Sequence, residues 1–316
     1  MNQKKSNLAF VFPGQGSQAV GMLAELASEN PIVKSLFGQA SEVLGYDLWQ
    51  LVSEGPEAEL NQTQRTQPAM LAAGVAMWEL WCHKSNCRPF WMAGHSLGEY
   101  TALVCANAIT FEDGIRLVAA RGHFMQAAVP TGVGAMAAVL GLEDDVVSQV
   151  CDEVAGDEVV SPVNFNAPGQ VVIAGHVAAV DRAIVALKLA GAKKVVVLPV
   201  SVPSHCALMR SAAEQFAIEL ENVPIKEPEF ALVHNVDAQS HSSPEAIRKV
   251  LKEQLYKPVR WVECINYMQA QGVTNLVECG PGKVLVGLNK RIAKAAGHLS
   301  IYDSATLNIA WEQLNG

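Results

Sequence analysis

The sequence has no run of apolar residues near the length of about eighteen that a membrane-spanning helix requires. Its first apolar segment, residues 8–12, is too short for the apolar region of a secretion signal and is followed at once by Pro13 and Gly14. We therefore expect a protein that acts in the cytoplasm and has no membrane partner.

Basic residues are scarce as well. The chain has 23 Lys and Arg against 31 Asp and Glu, a formal net charge of -8, and no basic stripe that could neutralise phosphates. This balance argues against nucleic acid as a partner. An acidic partner remains possible, but it would need a local basic patch.

The cysteines do not form a recognisable framework. There are seven of them, an odd number, and they are scattered along the chain. Cys82 and Cys87 are near each other, but no second pair and no histidine cluster completes a zinc site. The pattern favours reduced, buried thiols, and we expect no metal and no cofactor.

The chain has ample apolar residues for a large core. It is 316 residues long, half of them are hydrophobic and 17% are charged, which excludes general disorder and suggests about two domains. It has no internal repeat and no low-complexity segment.

The sequence GHSLGEY, residues 94–100, is the most informative motif. An apolar segment at 90–94 reads as a buried strand, and the small residues at 97–106 read as a helix. Between a strand and a helix, Gly-X-Ser-X-Gly makes a sharp turn that exposes the serine hydroxyl at the end of a sheet. Ser96 is therefore a candidate nucleophile.

A second loop follows the first predicted strand, 8–12. Its sequence PGQGSQ contains two close glycines, but it lacks the third glycine of a dinucleotide loop and the Gly-Lys-Ser/Thr of a P-loop. A loop at this end of a strand can instead direct N–H groups at a reacting carbonyl.

The helix predicted over 111–128 places a charge on an apolar face. Arg121 shares that face with Val118, Met125 and Ala128 at spacings of three and four residues. A buried guanidinium needs a partner. The partner is either an unidentified carboxylate of the chain or the carboxylate of a substrate, which Arg binds through two parallel hydrogen bonds.

The middle of the chain has a different pattern. From residue 134 to 200 the predicted order is β-α-β-β-α-β, which is typical of the split unit of ferredoxin-like folds. Gly132 and Gly134 at its start suit a hinge. We interpret 128–196 as a small domain inserted into a larger domain formed by 1–127 and 197–316.

His205 is the best candidate for a general base among eight histidines. It lies in a Pro-bounded loop after the last strand of the insert, and a serine nucleophile needs a base near neutral pH. His95 lies within the turn itself, where it is too constrained to serve as the base.

The bounds of the remaining helices and strands are predicted only approximately. The predicted helices are 20–28, 31–44, 68–85, 206–221, 244–255 and 284–294; the other strands are 230–233 and 273–277. The sequence after Gly297 supports no prediction.

Taken together, several motifs resemble the bacterial malonyl-CoA:acyl-carrier-protein transacylases of fatty acid synthesis. The motifs are VFPGQGSQ (11–18), GHSLGEY (94–100), SPVNFN (161–166), PSH (203–205), QLY (254–256) and GPGKVL (280–285), and the resemblance covers about residues 8–294. It implies an α/β fold with an α/β-hydrolase-like core, a parallel sheet and a ferredoxin-like insert, with the active site between them.

The resemblance also implies residue roles. Ser96 would be the nucleophile and His205 the base of a Ser-His dyad, with oxyanion-hole N–H groups from Gln15 and Leu97. Arg121 would bind the malonyl carboxylate, and Gln254 would occupy the place where a hydrolase carries its acid. Further substrate-binding candidates are His95, Met125 and Asn166.

The implied reaction is a ping-pong transfer. Ser96 attacks the thioester of malonyl-CoA, CoA leaves, and the phosphopantetheine thiol of acyl carrier protein then takes the malonyl group. The resemblance implies malonyl-CoA and the carrier as partners, and we expect a monomer. Because the carrier is expected to be acidic, we also expect a basic patch near the cleft; the candidate clusters are Lys188, Lys193 and Lys194, and Lys290, Arg291 and Lys294.

Three alternatives remain. A serine esterase or thioesterase usually has its histidine near the end of the chain, whereas about a third of this chain follows His205. A non-catalytic carrier-binding protein would form no covalent adduct on Ser96. A free-standing acyltransferase for polyketide synthesis is barely distinguishable by sequence.

Overall fold

The larger of two sheets is parallel and lies at the centre of the molecule. The computed structural model describes residues 3–200 and 202–315. The strands of this sheet are β1 (Gln3–Phe12), β2 (Cys87–Gly94), β7 (Ala231–Val233), β8 (Asn275–Cys279) and β9 (Gly297–Ile301). Their order is β7-β2-β1-β8-β9, and every neighbouring pair is parallel.

The smaller sheet is antiparallel and separate. Its strands are β3 (Gly134–Leu140), β4 (Val160–Ala167), β5 (Gln170–His176) and β6 (Lys194–Val197), in the order β4-β5-β3-β6. The predicted β-α-β-β-α-β succession is confirmed.

The other long elements of the described chain are α-helices. They are α1 (Ala24–Glu29), α2 (Pro31–Leu44), α3 (Leu48–Glu54), α4 (Glu57–Leu60), α5 (Thr63–Lys84), α6 (Gly98–Cys105), α7 (Phe111–Ala128), α8 (Asp144–Ala155), α9 (Val177–Leu189), α10 (Arg210–Asn222), α11 (Pro244–Gln254), α12 (Trp261–Ala270), α13 (Val284–Ile292) and α14 (Ser304–Asn315). Within residues 3–200 and 202–315, no helix is both long and apolar enough to cross a bilayer.

Strand β1 shows why the parallel sheet is so apolar. Residues 8–12 are all completely buried. Leu8, Phe10 and Phe12 face one helical layer, while Ala9 and Val11 pack in a second cluster on the other side. Helices thus cover both faces of the sheet, and strands in such a sheet read as continuous apolar runs rather than alternating ones.

The small sheet has a core of its own on one face only. Ala137 and Val139 of β3 pack with α8 and α9, whereas Met136 faces the other way, in a cluster that includes Cys206, outside the small sheet. Val259, in the loop between α11 and α12, connects to β4 of the small sheet: its N–H donates to Val163 O (2.8 Å) and its carbonyl accepts from Phe165 N (2.9 Å).

Several elements lie outside the sequence predictions. Helices α3, α4 and α12 were not predicted, and α5 begins at Thr63 rather than at residue 68, with Pro68 inside the helix. The segment after Gly297 forms β9, which continues the parallel sheet from β8, and α14, whose Leu307 and Leu314 are buried against the core.

Candidate active site

The turn around Ser96 joins β2 to α6, as its motif predicts. Ser96 has φ of 52°, in the left-handed region that non-glycine residues rarely adopt. The flanking glycines are required by close packing. A Cβ on Gly94 would lie 1.9 Å from the Gly98 carbonyl carbon, and one on Gly98 would lie 2.1 Å from Phe12 O. The strained turn therefore depends on both glycines.

Ser96 and His205 are brought into direct contact. The Ser96 Oγ to His205 Nε2 distance is 2.8 Å, and His205 Nδ1 lies 2.6 Å from the backbone carbonyl of Gln254. A carbonyl can only accept, so Nδ1 carries the proton and Nε2 is free to accept from the serine hydroxyl. The group behind the histidine is therefore the main chain of Gln254, not its side chain.

His205 is neutral in this setting. Burial, reinforced by the nearby positive charge of Arg121, lowers the pKa of His205 to about 3. Its imidazole is thus an available proton acceptor throughout the neutral range.

Arg121 is completely buried next to the nucleophile. Its Nη1 donates to Gln67 Oε1 (2.9 Å), and its Nη2 donates to Gln254 Oε1 (3.0 Å) and to Ser96 Oγ (3.1 Å). Among the described residues no carboxylate forms an ion pair with it. The sequence left two possible partners for Arg121, a carboxylate of the chain or a carboxylate of a substrate. The described residues provide no carboxylate in direct contact with it.

Burial also lowers the pKa of Arg121, while the Tyr100 and Glu99 groups act in the opposite direction. The guanidinium is held by two neutral amides and one hydroxyl, so its charge is not neutralised by contact. Such an arrangement is suited to binding a carboxylate that arrives from outside.

The loop after β1 packs directly on the Ser96 turn. A Cβ on Gly14 would lie 2.6 Å from His95 O, and His95 N donates to Phe12 O. Within 3–200 and 202–315, neither Gln15 N nor Leu97 N donates to a protein acceptor. Free N–H groups beside a nucleophile are what an oxyanion hole requires.

A cavity of about 130 Å³ opens above these groups, between the two sheets. Its lining includes Met136 and Asn164 of the small sheet and, from the loops around the parallel sheet, Gln15, His95, Ser96 and His205.

The other predicted substrate-binding residues, His95, Met125 and Asn166, lie beside the groups described above. His95 Nε2 is 2.7 Å from Asn166 Oδ1, and its ring packs against Trp261. Met125 is buried, and its sulfur lies 3.8 Å from Nε2 of Gln67, the residue whose Oε1 accepts from Arg121.

Sequence reasoning missed four residues that support the site. Gln67 holds Arg121, and Asn235 holds the turn: its Oδ1 accepts from Ser96 N and its Nδ2 donates to Gly94 O, both at 2.7 Å. Glu99 and His234 form a buried pair behind them. The one available signal was Glu99, a lone acid in an otherwise uncharged helix α6.

No metal centre accompanies these groups in the part of the chain that the structure describes, because no three His, Cys, Asp or Glu side chains converge there.

Comparison with known proteins gives consistent results over the whole chain. The profile of the family described as "Acyl transferase domain" matches residues 9–307. The malonyl CoA-acyl carrier protein transacylase of Salmonella typhimurium is 54% identical over 308 residues, which cover 98% of this chain and 100% of the relative.

Solved structures agree. The malonyl-CoA:acyl carrier protein transacylase of Xanthomonas oryzae has a TM-score of 0.97 at 53% identity, covering 99% of each chain. A malonyl-transacylase solved in complex with a type II PKS acyl-carrier protein has a TM-score of 0.96 at 54% identity, over 97% of this chain and 99% of that one.

Proposed function

We propose that this chain, which belongs to the acyl transferase family and within it to the malonyl CoA-acyl carrier protein transacylases, transfers malonyl through a covalent intermediate on Ser96. The chain is an acyltransferase, and its donor and acceptor are malonyl-CoA and the phosphopantetheine thiol of an acyl carrier protein. We propose fatty acid synthesis as the pathway it supplies.

The first half-reaction acylates the enzyme. His205 Nε2 takes the proton of Ser96 as Oγ attacks the thioester carbonyl, and the N–H groups of Gln15 and Leu97 receive the oxyanion. Each such donor contributes about 3 kcal/mol of transition-state stabilisation. The tetrahedral intermediate collapses, the C–S bond breaks, and CoA leaves with the proton that His205 returns.

The second half-reaction repeats these steps in reverse. The carrier thiol gives its proton to His205 and attacks the malonyl-Ser96 ester, and the proton returns to Ser96 as the C–O bond breaks. The enzyme ends unchanged, and the thioester bond energy is conserved in the product.

Arg121 provides the selectivity. A malonyl group on Ser96 places its free carboxylate within reach of Nη1 and Nη2, where two charge-assisted hydrogen bonds can form. An acetyl group leaves the buried guanidinium unpaired, and an unmet buried polar group of this kind discriminates strongly against the smaller substrate. We propose that Gln254 and Gln67 orient the guanidinium, while His95, Met125 and Asn166 shape the surrounding pocket.

One observation supports this proposal above the others: the Ser96 hydroxyl contacts both His205 Nε2 (2.8 Å) and Arg121 Nη2 (3.1 Å). A nucleophile that is hydrogen-bonded to a base and to a buried cation fits a substrate with a carboxylate next to the reacting carbonyl. An esterase acting on neutral substrates has no use for this cation.

The test is intact-protein mass after brief incubation with malonyl-CoA, acetyl-CoA or buffer. We expect a malonyl adduct that Ser96→Ala abolishes, and a shift of the adduct towards acetyl in Arg121→Ala. Release of CoA without an adduct would indicate a hydrolase instead, and the absence of both would contradict the proposed substrate.

We further propose finer descriptions of the fold. The parallel sheet and its helices form an α/β-hydrolase-like core (1–127 and 197–316), and 128–196 is a ferredoxin-like subdomain; the order β4-β5-β3-β6 and its two crossover helices support the latter. We expect a cytoplasmic monomer that binds neither nucleic acid nor membrane.

A further inference from the structure

Glu99 is a completely buried carboxylate one turn after the nucleophile. Among the described residues no Lys or Arg pairs with it, and its one ionisable contact is the imidazole of His234. A buried charge of this kind is costly unless other groups satisfy it.

Three donors converge on this carboxylate. His234 Nδ1 lies 2.7 Å from Oε1, while Asn235 N (3.0 Å) and Gln254 Nε2 (2.8 Å) donate to Oε2. In the described part of the chain His234 Nε2 has no partner. These three donors occupy both oxygens of the carboxylate, and no Lys or Arg of the described residues adds a fixed positive charge at the contact.

The amide of Gln254 connects Glu99 to Arg121. Its Nε2 donates to Glu99 Oε2 and to Ser96 O (3.0 Å), which uses both of its hydrogens, and its Oε1 accepts from Arg121 Nη2. The opposite orientation would set oxygen against carboxylate and NH₂ against guanidinium. The contacts therefore permit only one orientation of this amide.

We propose that Glu99 is the counter-charge of Arg121, held one amide away so that the guanidinium is stabilised without being occupied. A carboxylate in direct contact would fill the position that the malonyl carboxylate takes. With no carboxylate nearby, Arg121 would be a buried cation without a partner and would hold an incoming anion too tightly. With Gln254 between Glu99 and Arg121, the attraction of Arg121 for an incoming carboxylate is intermediate between these two cases. This inference rests on the proposed function for its substrate, and Glu99 acts as a positioning residue, not a catalytic one.

The sign of the effect distinguishes this role from simple structural support. Removing the charge by Glu99→Gln should strengthen the binding of a carboxylate at Arg121, since Glu99 repels that anion through a medium of intermediate dielectric. We expect the KM for malonyl-CoA to fall about tenfold and the KM for acetyl-CoA to stay unchanged. We also expect kcat for malonyl transfer to fall, because the ground state is stabilised more than the transition state.

The matched control is Glu312→Gln, the same substitution at an exposed position of α14, which should change neither KM. Damage to the hydrogen-bond network alone would raise the KM for malonyl-CoA. An unchanged or raised malonyl-CoA KM in a folded Glu99→Gln variant would overturn the proposal.

A double-mutant cycle of unfolding free energies tests the coupling between Glu99 and Arg121 without measuring catalysis. Urea unfolding is compared for the unmodified chain, Glu99→Gln, Arg121→Met and the double variant. If the two charges are partners, Glu99→Gln destabilises less when Arg121 is already neutral. Should Glu99→Gln fail to fold alone, the added Arg121→Met should restore folding.

The proposal would be contradicted if the two substitutions changed the free energy of unfolding additively. It would also be contradicted if Glu99→Gln failed to fold and Arg121→Met did not restore folding. If the unmodified chain forms no malonyl adduct, the proposed function fails, and the cycle still decides whether Glu99 and Arg121 are coupled.

Discussion

At the scale of single residues, the site depends on charges that are buried but not paired directly. Arg121 donates to Gln67, Gln254 and Ser96, and His205 is held by a backbone carbonyl. The partners of the guanidinium are neutral, so no contact cancels its charge. Burial and, after it, the Arg121 charge lower the pKa of His205, so a malonyl carboxylate bound at Arg121 should raise that pKa and strengthen the base.

The pH dependence of acylation follows from the pKa of His205, which is about 3. We expect kcat/KM for malonyl-CoA to show no inflection near pH 6.5, the usual range of histidine. In Arg121→Met the pKa of His205 should rise. The loss of activity at low pH, where His205 becomes protonated, should therefore begin closer to neutral pH. Stopped-flow measurement of CoA release between about pH 5 and 8 checks both. An inflection near 6.5 in the unmodified chain would contradict the expectation.

The lowered pKa of His205 also makes the folded protein less stable as the pH falls. Because the folded state keeps His205 neutral while the unfolded chain takes up a proton below about pH 6.5, this contribution is present above 6.5 and is lost as pH falls towards 3.

At the scale of elements, the turn between β2 and α6 shows how local sequence and long-range contact combine. The motif predicts a strand, a sharp turn and a helix, and all three are present. The contact that makes Gly98 indispensable is nevertheless with Phe12 O of β1, far away in the chain, and local sequence carries no sign of it.

Replacement of glycines should separate these two effects. Gly98→Ala places a Cβ 2.1 Å from backbone, so we expect an unfolded or inactive protein. Gly38→Ala on α2 meets nothing within 4 Å and should stabilise the fold by about 0.5–1 kcal/mol, because alanine is the better helix former. Urea unfolding with malonyl-transfer activity measures both. Equal effects of the two substitutions would rule out this explanation.

At the scale of the whole molecule, residues from both sheets and from their loops line one cavity. Ser96 and His205 lie on one side of it, and Met136 and Asn164 of the small sheet also line it. Both candidate basic clusters are exposed. Arg291 also donates hydrogen bonds to Pro168 O and to Gln170 Oε1 at the β4–β5 turn, so the second cluster lies next to the small sheet.

The overall charge of -8 should repel an acidic carrier at long range, so docking needs local attraction. We expect Lys194→Glu or Lys290→Glu to raise the KM for the carrier severalfold and to leave the KM for malonyl-CoA unchanged. Lys34→Glu on α2, an exposed site outside both clusters, changes net charge equally and serves as the control. A cluster whose reversal leaves the carrier KM unaltered takes no part in docking.

The sequence alone predicted Ser96, His205 and Arg121 as candidates for the nucleophile, the base and the carboxylate ligand, and the structure brings their side chains into contact. It also predicted strands β1 to β8 in their order along the chain, because each is a short apolar segment bounded by turn residues. The β-α-β-β-α-β order was also predictable, because it is a local succession of elements. Helix α12, strand β9 and helix α14 were missed, because their stability comes from packing against segments distant in sequence.

Only the tertiary structure decided what surrounds the arginine. The sequence left open whether Arg121 meets a carboxylate of the chain or of a substrate, and the fold surrounds it with Gln67 of α5 and Gln254 of α11. It also places Glu99 one amide further away. Hydrogen-bond partners separated by 54 to 155 residues leave no trace in local sequence patterns, because the folding of the whole chain brings them together.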